Sequence, residues 1–118
     1  MEQLTVYYNP DCSKCKKLKI LLPSQDLNIK WVNYLENPLT AGELTALLEK
    51  MGSQPSAVIR LTEEERAGLS EEELFQRLVE EPATLNRPII EREQTAFLCR
   101  SLDIIKEKMP EYDWSAYL

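Results

Sequence analysis

The chain has 118 residues, 43% hydrophobic and 29% charged, with a net charge of −6 and no histidine. Such a length suits one domain that buries a two-layer core, so residues 1–118 are expected to form a single domain. The acidic balance excludes a broad nucleic-acid surface, and no apolar run reaches the roughly 18 residues that span a bilayer. The absence of histidine removes Cys–His pairs, His-based triads and the commonest zinc ligand together. Met1-Glu2-Gln3-Leu4-Thr5 has neither a basic start nor an apolar signal core. A cytoplasmic location is therefore expected.

Leu4, Val6 and Tyr8 alternate through residues 4–8, which reads as a strand. Asn9-Pro10-Asp11 breaks it, since Pro10 cannot donate to a ladder and Asn and Asp favour turns. From Ser13 the apolar residues Cys15, Leu18 and Leu22 recur at helical spacing, and Pro23-Ser24 closes that helix. Residues 29–34, with Trp31 in their middle, form a second predicted strand. Strand, tight loop, helix, strand is a βαβ unit whose two strands lie parallel.

Thr40-Ala41-Gly42-Glu43 is a capping box, followed on one face by Leu44, Leu47, Leu48 and Met51, with Gly52 as the stop. A short helical segment is expected over 56–60. Ser70-Glu71-Glu72-Glu73 starts another helix, which ends before Pro82. Pro88 then opens a strand, Arg92-Glu93 supplies a hairpin turn, and 95–99 return. Ser101 caps a last helix that Pro110 ends, and residues 111–118 read as a loosely docked tail. The order is βαβ, a helical stretch, then ββα. A mixed sheet with helices on both faces is the expected α/β architecture.

Three cysteines are too few for a disulfide framework or for the four Cys/His ligands of a structural zinc site, so no metal is expected. Cys-x-x-Cys after a strand reads instead as redox chemistry. Cys12 falls where strand gives way to helix, and unpaired amides and the positive end of the helix dipole stabilise a thiolate there. Lys14 and Lys16 add positive charge, while Asp11 opposes it. Cys15, one turn along, is placed either to attack an adduct on Cys12 or to pack in line with Leu18 and Leu22, and both roles stay open. Cys99, alternating with Phe97, is expected to be buried and inert. The isomer of the Arg87–Pro88 bond is left open.

Tyr8-Asn9-Pro10-x-Cys12, Arg60 after a short helix, Asn86-Arg87-Pro88-Ile89 and Leu98-Cys99-Arg100 together resemble the glutaredoxin-coupled arsenate reductase (ArsC) family. The likeness runs from about Leu4 to Ile105. It implies a thioredoxin-like fold with a helical insertion, in keeping with the element order. It also implies that Cys12 attacks arsenate, that Arg60, Arg87 and Arg100 hold the oxyanion, and that Asn9 orients the loop. Glutathione is then the co-substrate and glutaredoxin the partner, with no bound cofactor and a monomeric enzyme. Departures from the family are Tyr8 in place of His, Cys15 in place of Ser, Lys16 in place of Arg, and Ser101 in place of Pro. Cys-x-x-Cys also occurs in the related Spx-type regulators, which bind RNA polymerase, so a redox-sensing regulator is the rival expectation. A general thiol–disulfide reductase using Cys12 and Cys15 is the third.

Overall fold

The computed structural model describes residues 2–115. Strand β1 (Glu2–Tyr8) leads into helix α1 (Ser13–Leu21), a 3-10 turn at Leu22–Ser24 and strand β2 (Leu27–Asn33). Helix α2 (Ala41–Met51), a 3-10 turn at Pro55–Ala57, helices α3 (Glu63–Arg66) and α4 (Glu71–Glu80) and a further 3-10 turn at Pro82–Thr84 follow. Strands β3 (Ile89–Glu91) and β4 (Ala96–Leu98) and helix α5 (Leu102–Lys108) complete the order. The sheet runs β2-β1-β3-β4, with β1 parallel to β2 and antiparallel to β3, and β3 antiparallel to β4. Among the described residues no helix is long and apolar enough to cross a membrane.

Alternation along the strands divides the interior in two. Leu4, Val6, Ile90 and Phe97 face α1 and α5, packing with Leu18, Leu21, Leu22, Ile105 and Met109. On the other face Ile89 and Ala96 meet Leu44, Leu47, Leu48, Leu74 and Leu78 of α2 and α4. The expected capping boxes are present. Thr40 accepts from the amide of Glu43 at 3.1 Å and Ser70 from that of Glu73 at 3.1 Å, and each glutamate bonds back. Gly52 ends α2 at φ 61°, a conformation that favours glycine.

Three expectations are corrected. The second strand starts at Leu27 and stops at Asn33, so Tyr34 lies beyond it. The helical segment expected over 56–60 shrinks to Pro55–Ala57, because Val58 turns out of it at φ −122° and ψ 5° and the next residue, buried Ile59, bridges Leu85 antiparallel. The tail is not loosely docked as far as Trp114. That indole is 3% exposed within the α1/α5 core, and its Nε1 donates to the Met109 carbonyl at 2.9 Å. Tyr112 donates to Glu2 at 2.6 Å, and Arg92 in the hairpin turn bonds the same carboxylate through Nε and Nη2 at 2.5 and 2.9 Å. Residues 116–118 lie outside the described residues.

A tail that completes the core should be costly to cut. Trp114→Ala is expected to lose about 3–5 kcal/mol of stability by chemical denaturation. A loss below about 1 kcal/mol would restore the loosely docked tail.

Candidate active site

The sheet's register assembles the site. Continuing β1 against β3 two steps past the Tyr7–Ile89 pair sets Asn9 opposite Arg87. Continuing β3 against β4 two steps past Ile89–Leu98 sets Arg87 opposite Arg100. One step past Tyr8–Asn33, β2 brings Tyr34 beside Asn9. Tyr34, Asn9, Arg87 and Arg100 thus form one row across the end of the sheet, and the hydrogen bonds agree with it. Arg100 Nη1 donates to the Arg87 carbonyl at 2.6 Å, and the amide of Cys99 donates to the Pro88 carbonyl at 2.8 Å. The Arg87–Pro88 peptide bond is cis.

Asn9 shapes the loop that presents Cys12. Its Oδ1 accepts from the Asp11 amide at 2.9 Å and its carbonyl from the Cys12 amide at 3.0 Å. Cys12 is extended at φ −91° and ψ 122°, as an N-cap must be, and its carbonyl starts α1 by accepting from Lys16 at 3.1 Å. Helices α2, α3 and α4 each carry a Thr or Ser oxygen in this capping position. Here a sulfur stands in its place, and the amides of the first turn remain for a thiolate.

Burial separates the three thiols. At Cys12 burial pushes the pKa up, but the Cys15 amide and thiol, the Lys14 amide and the Arg87 guanidinium outweigh it and bring it down to about 7. Cys15 is 1% exposed; burial and its neighbour Cys12 push it up to about 12, against the Asn9 amide and Arg87. Burial alone raises Cys99 to about 11, and its thiol donates to the Ser101 carbonyl at 3.4 Å.

The arginines differ in placement. The Arg87 guanidinium helps hold the Cys12 thiol's pKa down, and its Nε is buried with no hydrogen-bond partner. Arg100 is half-buried and tied to Arg87. Arg60 is exposed; its main chain is fixed by an amide bond of 2.7 Å to the Thr84 carbonyl, just before Asn86-Arg87, and no contact brings its side chain to Cys12. Among the described residues none of the three pairs with a carboxylate, whereas Arg77 and Arg92 do. Unpaired guanidinium groups beside a low-pKa thiol offer an anion charged donors. Among the described residues no cluster of three or more His, Cys, Asp or Glu side chains converges.

Residues 7–108 match the model of the ArsC family. The chain belongs to that family. It is 28% identical to an arsenate reductase of Escherichia coli K12 and 30% identical to one of Yersinia enterocolitica. Each alignment covers 99% of this chain and 88% of the relative. The solved structure of an arsenate reductase from Vibrio cholerae superposes with a TM-score of 0.79 at 28% identity, covering 90% of this chain and 97% of that one. The fold is thus the thioredoxin-like fold of the ArsC proteins, and the expected α/β architecture holds.

Within the family this member's departures have visible causes. Tyr8 packs edge-on against Trp31 at 6.1 Å between centroids and lies 4.1 Å beneath the Lys19 ammonium. Ser101 caps α5, its Oγ accepting from the Asp103 amide at 3.3 Å.

Tyr34 is the site residue that sequence reasoning missed. It is 1% exposed, and its hydroxyl donates to the Leu85 carbonyl at 3.0 Å, two residues before Arg87. Burial raises the phenol's pKa, and Arg87, the Asn9 amide, Cys15 and Cys12 all act on it, which places it at the floor of the site. Its only sequence signal is a large polar aromatic one residue past an edge strand.

Two outcomes follow from this geometry. Iodoacetamide alkylation should label Cys12 first, its rate rising with pH through a midpoint near 7 as the thiolate forms, while Cys15 and Cys99 stay inert at neutral pH. Arg87→Ala should move that midpoint upward; an unmoved midpoint would detach Arg87 from the thiolate. Tyr34→Phe leaves the Leu85 carbonyl without its donor, so it should lose about 1–3 kcal/mol of stability by denaturation. The same variant should raise the Cys12 midpoint, because both Asn9 and the Arg87 segment lose their tie.

Proposed function

We propose that this chain is an arsenate reductase whose Cys12 thiolate attacks arsenic, with Arg60, Arg87 and Arg100 binding the oxyanion and Asn9 holding the loop. The observation that carries this is the partnerless buried Nε of Arg87 next to the most acidic thiol. Membership in a family of arsenate reductases supports reduction of arsenate by thiol chemistry.

Attack by the thiolate forms a sulfur–arsenic bond and breaks an arsenic–oxygen bond, the oxygen leaving as water after proton uptake. A second thiol then attacks the Cys12 sulfur. A disulfide forms, the sulfur–arsenic bonding pair passes to arsenic, and arsenite departs. Glutathione supplies that thiol, and glutaredoxin reduces the resulting mixed disulfide. Cys15 lies close enough to Cys12 to act as an internal resolving thiol, but its raised pKa makes it the slower one. The enzyme works as a monomer and a single domain in the cytoplasm, where glutathione is abundant, and needs no bound cofactor.

Turnover with arsenate, glutathione, glutaredoxin, glutathione reductase and NADPH tests the proposal. Cys12→Ser should abolish it and Cys15→Ser should retain it. A charge-assisted arginine contact contributes roughly 1.5–3 kcal/mol, so Arg87→Ala or Arg100→Ala should slow turnover by roughly ten- to a hundredfold. Arg→Lys should recover only part, because an ammonium cannot make the planar bidentate contact. Wild-type protein without arsenate turnover, or turnover indifferent to all three arginines, would overturn the assignment.

A further inference from the structure

An acidic chain here carries one strongly basic helix. Helix α1 holds Lys14, Lys16, Lys17 and Lys19, four of the chain's 14 basic residues, and no acidic residue. None of the four forms an ion pair among the described residues. Cys15, Leu18 and Leu21 face the interior, which leaves Ser13, Lys16, Lys17 and Ile20 on the opposite, exposed side. Ile20 is 71% exposed and has no apolar partner assigned to it in either core. At 1.5 Å per residue the strip runs about 12 Å from Cys12 to Ile20. Beside it a cleft of about 220 Å³ opens between Tyr8, Asn9, Pro10, Cys15, Lys16 and Lys19.

Neither folding nor the Cys12 site uses Lys17 or Ile20. A small anion would need the charges but not a protruding isoleucine 12 Å away. An apolar side chain ringed by unpaired charge, starting at a nucleophile, is the anatomy of a transient protein contact. The chain's own net charge of −6 makes a second copy attracted only locally.

We propose that the exposed face of α1 is the docking surface for an acidic protein thiol reductant, which Ile20 anchors and the lysines steer onto Cys12. The proposal rests on Cys12 being a redox thiol, as in the proposed function, and names the kind of partner that regenerates it. In that step the partner's thiolate attacks the glutathione sulfur of a Cys12–glutathione disulfide. The bond to Cys12 breaks, a partner–glutathione disulfide forms, and Cys12 leaves as thiolate into the amides of α1.

The test follows that step directly and needs no arsenate, so it is independent of whether arsenate is the substrate. Cys15→Ser protein is charged with glutathione at Cys12, and its release is timed with a glutaredoxin of net negative charge and, separately, with dithiothreitol. Lys17→Glu should slow release by glutaredoxin roughly threefold or more at low ionic strength, and Lys17→Ala less, with the gap closing as salt rises. Ile20→Ser should slow it at every salt concentration. Dithiothreitol should act equally on all variants. Equal rates with glutaredoxin would overturn the proposal. Equal slowing by dithiothreitol would overturn it too, since Lys17 would then act on the Cys12 sulfur and not on a partner. A salt-sensitive dimer of the chain, dissolved by the same lysine changes, would assign the face to a second copy instead.

Discussion

Strand β1 lies between β2, which runs parallel to it, and β3, which runs against it, and this double pairing fixes where the chain must turn after Tyr8. Asn9 is the residue at that turn, and it is the buried polar residue of the described chain, 9% exposed. Its oxygen holds the Asp11 amide, its carbonyl holds the Cys12 amide, and its neighbours across the sheet are Tyr34 and Arg87. A slip of one residue in either pairing would turn these side chains to the other face. The core therefore protects the chemistry indirectly: Ile89 and Ile90, both fully buried on opposite faces, hold the register that sets Arg87 against Asn9.

With no histidine to act as base, the Cys12 thiolate depends on fixed donors. The helix start contributes amides that no capping oxygen consumes, and Arg87 contributes a permanent charge. This arrangement lowers the thiol's pKa without any titrating base. Cys15 and Cys99 carry the same sulfur chemistry but lie deeper, where burial keeps them protonated.

Helix α1 serves both ends of this arrangement. Cys15, Leu18 and Leu21 anchor it against the sheet, and that anchoring aims its N-terminus at Cys12. Its outer face is then free to differ from the rest of the surface, and it does, carrying lysine in a chain where acids outnumber bases 20 to 14. Cys12 sits at the junction of the two faces.

Much of this was legible in the sequence because it depends on local chemistry. Period-two and helical spacing marked the elements, Thr40 and Ser70 marked helix starts, and a cysteine at a strand-to-helix junction marked the thiol whose pKa is lowered. The resemblance to the ArsC family named Arg60, Arg87 and Arg100, but adjacency is a separate matter. Only the tertiary structure set Arg87 and Arg100 beside each other in one row, left Arg60 on the surface, and turned Tyr34 inward beneath Asn9. Likewise Ile59 took a bridge to Leu85 in place of a helical turn, and Trp114 closed a core whose other members are distant in the chain. The physical reason is common to all of these. Spacing along a chain encodes which face a residue takes, whereas its partner is chosen by strand register and by the apolar surface left uncovered, and both exist only once the sheet has formed.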